Sequence, residues 1–158
     1  MEIEKALRNI DFFSDIDDEE IAKIATIVEV KKFDPGEKII KENSYGAEMG
    51  FILEGEVKVD KKTKHQENYL YTTIKSGRIF GEVSFLDSGL RTASITAITP
   101  VTIAFIRRDN FDVLFKKEPV LCYKILYKIA LDLCRIVRRA DNETLVLYEA
   151  LLNEIRET

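Results

Sequence analysis

Histidine is nearly missing from this sequence. His65 is the only one, and it sits in the polar stretch DKKTKHQEN, which reads as an exposed hairpin tip or loop. A metal centre built on imidazoles is therefore nearly excluded, and so is a Ser-His or Cys-His catalytic pair. Cysteine is almost as scarce. Cys122 and Cys134 lie twelve residues apart in a stretch that reads as one helix, too far apart to bridge within it, and are expected as buried, reduced thiols. No apolar run approaches the ~20 residues of a membrane-spanning helix. The N-terminus, MEIEKALRNI, mixes charged and apolar residues, unlike a secretory signal. The expected setting is the cytoplasm, with no membrane partner and no metal or cofactor.

An excess of basic residues is also missing, since the formal net charge is −4. That value hides a gradient. The first twenty residues hold eight acids and two bases, residues 141–158 hold five acids and one base, and the centre is therefore net basic. A basic centre between acidic ends suits a buried or grooved anion better than DNA, whose partners carry a basic stripe and a basic overall balance.

What is present falls into three stretches. EIEKALRNI repeats apolar residues at helical spacing through Ile3, Leu7 and Ile10. FFSDIDDEEIAKIATIVEV follows, with Asp15 or Asp17 as helix cap and an apolar stripe of Ile21, Ile24, Ala25 and Val28. From Val28 the period becomes alternating. VEVKKF, KIIKE, MGFILEGEVKVD, YLYTTI, ASITAI and VTIAFIRR read as strands, with turns at Pro35-Gly36, Gly46, Gly50 and Thr99-Pro100. Glu54-Gly55 reads as the turn of a hairpin joining Met49–Leu53 to Val57–Val59. Seven or eight short strands predict an antiparallel sandwich, roll or barrel.

The pattern then turns helical again. RDNFDVLFKKE predicts a short helix capped by Asp109, with Phe111, Leu114 and Phe115 inward. Pro119 suits the first position of the next helix. No glycine or proline follows it. Leu126, Ile129, Leu133, Ile136 and Ala140 recur three and four apart, and the seam drifts to Leu147, Leu151 and Ile155. Such a helix would reach ~50 Å and expose a long apolar face. A second copy of the chain is the expected cover. The alternative is a hinge near Asp141-Asn142 with the end folded back.

Within the strand-rich region one stretch, FGEVSFLDSGLRTASITA from Phe80 to Ala97, carries chemistry. Glu82 can accept hydrogen bonds from a sugar diol. Arg91 offers a planar fork that matches a phosphodiester. Gly81 lets a backbone come close to a ligand. EVSFLD is long enough for one helical turn with its free N–H groups toward an anion. Thr92 adds a hydroxyl beside the arginine. Ribose and phosphate on one compact rigid unit describe a 3′,5′-cyclic nucleotide.

The same stretch resembles the phosphate-binding cassette of the cyclic nucleotide-binding domain family, in which Phe-Gly-Glu and a short apolar helix precede Arg, a small residue or Thr, and Ala. Gly81, Glu82, Arg91, Thr92 and Ala93 match that pattern, and Val83 and Ser84 fall in its helix. LRNIDFFSDIDDEEIAKIA resembles the family's N-terminal helical segment. FDPGEKIIKENSYGAEMGFILEGEVKV resembles its first strands and glycine turns. Two positions depart from the pattern: Ser84 stands where alanine is common, and Leu90 where proline is frequent.

The resemblance implies an α+β, mainly β fold: an antiparallel β-roll (a double-stranded β-helix, or jelly roll) flanked by N-terminal helices and a long C-terminal helix. It implies one domain over 1–158, with N-terminal helices at 1–27, the roll at 28–107, the cassette at 80–93 and C-terminal helices at 108–158. It implies a base capped from the last helix, for which Asp132, Arg135, Arg138, Arg139 and Asp141 are candidates.

The expected function is a cytoplasmic sensor or regulatory domain for a cyclic nucleotide, cAMP before cGMP. It is not an enzyme. It signals by docking of its C-terminal helices, forms a homodimer through the long helix and acts on an unknown effector protein. The chain ends in an acidic tail at Thr158, so it is expected to stand alone, without a DNA-binding domain and without DNA as a partner. The alternatives are a nucleotide-independent protein-interaction module on the same fold and a truncated part of a transcription regulator.

Overall fold

A computed structural model describes residues 2–63 and 69–157, so His65 and its neighbours in the expected loop tip lie outside the described residues. The chain divides into two compact units, Met1–Pro119 and Val120–Thr158.

The first unit opens with helix α1 (Glu2–Arg8), a 3-10 turn (Asp11–Phe13) and helix α2 (Asp18–Ala25). Asp17 caps α2. Its Oδ1 accepts from the Glu20 backbone N–H at 2.8 Å, and the Glu20 carboxylate accepts from the Asp17 N–H at 3.2 Å. This reciprocal pair satisfies two of the donors that a helix start leaves open. Asp17→Ala is expected to lower stability by about 1 kcal/mol. A urea melt with an unchanged midpoint would remove the cap from the account.

Eight strands follow: β1 (Val28–Phe33), β2 (Lys38–Ile40), β3 (Glu48–Glu54), β4 (Glu56–Lys61), β5 (Tyr69–Lys75), β6 (Ile79–Phe80), β7 (Ser94–Ala97) and β8 (Val101–Arg107). They form two four-stranded sheets, β1-β8-β3-β6 and β2-β7-β4-β5. Every pairing is antiparallel. The sheets face each other over one apolar cluster that includes Ile52, Val57, Phe80, Ile95, Val101, Ile103 and Phe105. The mainly β roll with flanking helices is the expected fold.

Two readings of this region need correction. β3 and β4 are not a hairpin, because they belong to different sheets. Gly55 alone separates them, whereas the tightest common hairpin needs a two-residue loop. The chain crosses between the sheets at Gly55, and crosses again at the Thr99-Pro100 turn, which joins β7 to β8. Strand β8 also does not alternate, since Ile103 to Ile106 are all buried. One of its faces meets the opposite sheet. On the other face of the same sheet, Phe12 and Phe13 of the 3-10 turn pack edge-on or tilted against Phe51 of β3 at 5.4 and 4.9 Å.

Helix α3 (Glu82–Asp87) lies between β6 and β7, and helix α4 (Arg108–Lys117) follows β8. Asp109 does not cap α4. Arg107 holds that position, and Asp109 sits inside the first turn, where its carboxylate pairs with Arg107 and accepts from the Asn110 N–H. Phe111 and Leu114 are buried, but Phe115 is half-exposed. The stripe that this ten-residue helix buries is narrower than its apolar content.

In the second unit, α5 (Pro119–Glu157) runs as one unbroken helix of 39 residues. At 1.5 Å per residue it is about 58 Å long. There is no hinge at Asp141-Asn142, where nothing in the sequence breaks the backbone ladder. Cys134 is exposed rather than buried, whereas Cys122 is buried as expected. Leu147, Leu151 and Ile155 are all more than half exposed. Among the described residues, no helix is long and apolar enough to cross a membrane.

Candidate functional site

The site forms where the chain passes from the first sheet to the second. β6 delivers Phe80 opposite Gly50 of β3, α3 makes one and a half turns, and Ser94 starts β7 in the other sheet. Gly81 makes the entry. It is left-handed, with φ 79°, and a Cβ there would lie 2.8 Å from Arg91 Nη1 and 2.9 Å from the Glu48 carbonyl oxygen. A side chain would both strain the backbone and push the arginine away.

Arg91 is the centre of the arrangement and is only 4% exposed. Its backbone is fixed against the segment before β3: Arg91 N–H donates to the Ser44 carbonyl and the Arg91 carbonyl accepts from Asn43 N–H, both at 2.9 Å. Nη1 donates to the Glu48 carbonyl at 2.8 Å, to Ser84 Oγ at 2.6 Å and, more weakly, to the Gly81 carbonyl at 3.4 Å. Nη2 lies 3.3 Å from Glu48 Oε1, a contact of opposite charges without hydrogen-bond alignment. Among the described residues, Nη2 is the one fully buried side-chain nitrogen or oxygen atom with no hydrogen-bond partner. Burial pushes the guanidinium pKa below its ordinary value, and the Glu48 and Glu82 carboxylates oppose that shift. A buried cation with unfilled donor capacity is suited to an incoming anion.

The structure brings Gly81, Ser84 and Arg91 into mutual contact. Glu82 is buried and close enough to favour the Arg91 charge. Val83 is about one-third exposed, Thr92 is exposed, and Ala93 packs against the apolar cluster between the sheets. Ser84, the departure from alanine, accepts one of the arginine's shortest bonds. Leu90 bridges backbone-to-backbone with Tyr45, so a strand contact holds the turn where proline is frequent.

Asp132, Arg135, Arg138 and Arg139 lie in the other unit, on α5. There Arg135 pairs with Asp132 at 3.5 Å and Arg139 with Glu143 at 2.9 Å. At 100° per residue, all four fall within an arc of about 120°, with Asp132 and Arg138 at its two ends.

Sequence reasoning missed two contributors. Glu48 supplies both a carbonyl and a carboxylate to Arg91, from 43 residues away. Gly46 leaves room for the guanidinium, since a Cβ there would lie 2.7 Å from Arg91 Nε. The glycines of NSYGAEMG read as turn positions, but Gly50 lies within β3, and nothing in their spacing points at Arg91.

Residues 30–118 match the family described as the cyclic nucleotide-binding domain. The chain is similar to potassium/sodium hyperpolarization-activated cyclic nucleotide-gated channel 4 of Homo sapiens, 28% identical over 145 residues, which are 92% of this chain and 11% of the channel. It is 30% identical over 108 residues to cGMP-dependent protein kinase 2 of Homo sapiens, covering 67% of this chain and 14% of the kinase. A cyclic nucleotide-binding domain from Methylobacillus flagellatus superposes with a TM-score of 0.80 and 26% identity, over 91% of this chain and 81% of that one. The chain thus spans only a small part of the two longer relatives.

Proposed function

The chain belongs to the cyclic nucleotide-binding domain family, and from that premise we propose that it is a cytoplasmic cyclic-nucleotide sensor, regulatory rather than catalytic. The observation that carries the reading is the buried Arg91, whose Nη2 makes no hydrogen bond among the described residues, in the segment where the family pattern places the phosphate. In this reading Arg91 takes the cyclic phosphate and Glu82 a ribose hydroxyl. Gly81, Val83, Ser84, Thr92 and Ala93 line the remainder. Asp132, Arg135, Arg138 or Arg139 caps the base when the C-terminal helices dock, and that docking is the signal. The exposed seam through Leu147, Leu151 and Ile155 supports a homodimer formed through α5. The ligand is cAMP in preference to cGMP, and the output passes to an effector protein.

Thermal unfolding with each nucleotide separately tests this. Ligand at ~100 times its Kd is expected to stabilise the folded chain by about 2.7 kcal/mol. A domain of this size then melts roughly 5–10 °C higher. The larger shift names the base. No shift with either nucleotide, in protein freed of co-purified ligand, would sink the sensor reading.

A further inference from the structure

Helix α4 opens on Arg108, which ties together three pieces of the first unit. Its backbone N–H donates to the Ala47 carbonyl at 2.8 Å, next to Glu48. Its Nη1 donates to the carbonyls of Phe85 and Leu86, both at 3.0 Å. Those carbonyls belong to the last turn of α3. The closing N–H there, from Ser88, is already taken by the Ser84 carbonyl, so the two beyond it lack helical donors. Arg108 supplies them. Its Nε donates to Asp112 Oδ1 at 2.9 Å, one turn further along α4, which fixes the orientation of the fork. The guanidinium also stands 5.9 Å from the centre of the Phe85 ring, and Phe85 packs edge-on against Phe111 of α4 at 5.3 Å.

The two kinds of contact do different work. The aromatic pair is buried and holds α3 near α4, yet rings can slide and turn with little loss. The fork binds two particular carbonyls and tolerates little displacement. Arg108 and Asp112 are both partly exposed, so their ion pair by itself contributes little stability. Its effect is to aim the cation.

We propose that Arg108 is a positioning residue that locks the C-terminal end of α3 to α4, so that the two shift together when the Arg91 site fills. The second half of this statement rests on the sensor reading, and the first does not.

Amide hydrogen exchange on the whole chain separates them. The comparison is native protein, Arg108→Gln, Arg108→Lys and Asp112→Asn, each without nucleotide and saturated with cAMP or cGMP. Without nucleotide, Arg108→Gln is expected to speed exchange across residues 82–88 by roughly tenfold or more while 109–117 stay near native. Lysine keeps one cationic nitrogen but not the planar fork, and should restore part of the protection. Asp112→Asn leaves the guanidinium in place but unaimed, and should move exchange the same way by less. It is the variant to read if Arg108→Gln does not fold. With nucleotide, the native chain is expected to slow exchange in both helices, and Arg108→Gln only in 82–88. Native exchange in 82–88 of nucleotide-free Arg108→Gln, or undiminished slowing of α4 in that variant, would overturn the proposal. A native chain that binds neither nucleotide would end the sensor reading instead, and the nucleotide-free comparison alone would then decide the lock.

Discussion

Arg91→Ala is expected to weaken cyclic-nucleotide binding by about 2–5 kcal/mol, roughly thirtyfold to several-thousandfold in Kd. The size follows from where the cation sits. A phosphodiester reaching Arg91 meets a guanidinium already stripped of water, so its charge acts through a poorly screened medium. The desolvation cost of Arg91 is met by folding, through Nη1 and its three acceptors, and does not fall on binding. Arg91→Lys tests geometry against charge. Lysine keeps the charge but loses the fork, so it cannot hold the Glu48 carbonyl and Ser84 while presenting two donors to a phosphate. Its affinity should fall between native and alanine. Calorimetric titration measures the loss, and circular dichroism checks the fold. Both variants should melt below native, because the acceptors of Nη1 lose their donor inside the protein. They should still fold, since the apolar cluster between the sheets does not include Arg91. A well-folded Arg91→Ala that binds within threefold of native would remove Arg91 from phosphate recognition.

The segment Gly81–Ala93 was legible in the sequence because its chemistry is local. One turn of helix separates Gly81 from Ser84, and a short loop returns the chain to Arg91. Spacing alone therefore limits which groups can meet. Glu48 was not legible, because its meeting with Arg91 depends on how β3 lies beside β6, and residue type carries no record of that register. The strands were legible and their partners were not. Alternation of apolar residues looks the same whether two strands pair or face each other from opposite sheets, and so Glu54-Gly55 read as a hairpin. Phe115 misled for a related reason. Periodicity gives the apolar face of α4, but how wide a stripe is covered depends on what lies beneath it. The continuity of α5 needed only local information. It contains neither glycine nor proline beyond its first residue.

The crossing at Gly55 carries the largest expected effect on stability. Gly55 has φ 90°, and a Cβ there would lie 2.3 Å from the Pro100 carbonyl oxygen and 2.9 Å from Thr99 Oγ1. These two crossings between the sheets are thus in contact. Glu56 N–H donates to Thr99 Oγ1 at 3.0 Å, and the Glu56 carbonyl accepts from Ile98 N–H at 2.8 Å, so neither crossing can retreat cheaply. Gly55→Ala combines a left-handed alanine, about 1–2 kcal/mol, with overpacking against backbone, about 1–3 kcal/mol. A loss of about 3 kcal/mol should lower Tm by roughly 6–12 °C. Gly36 provides the control. Its φ is 88°, nearly the same, but no heavy atom stands within 4 Å of its Cβ position. Gly36→Ala should therefore show the backbone cost alone. The difference between the two melts measures how tightly the sheets are joined at this corner. Equal losses would mean that the Pro100 turn yields, and that the crossing is held by the backbone conformation of Gly55 rather than by the contact between the two turns.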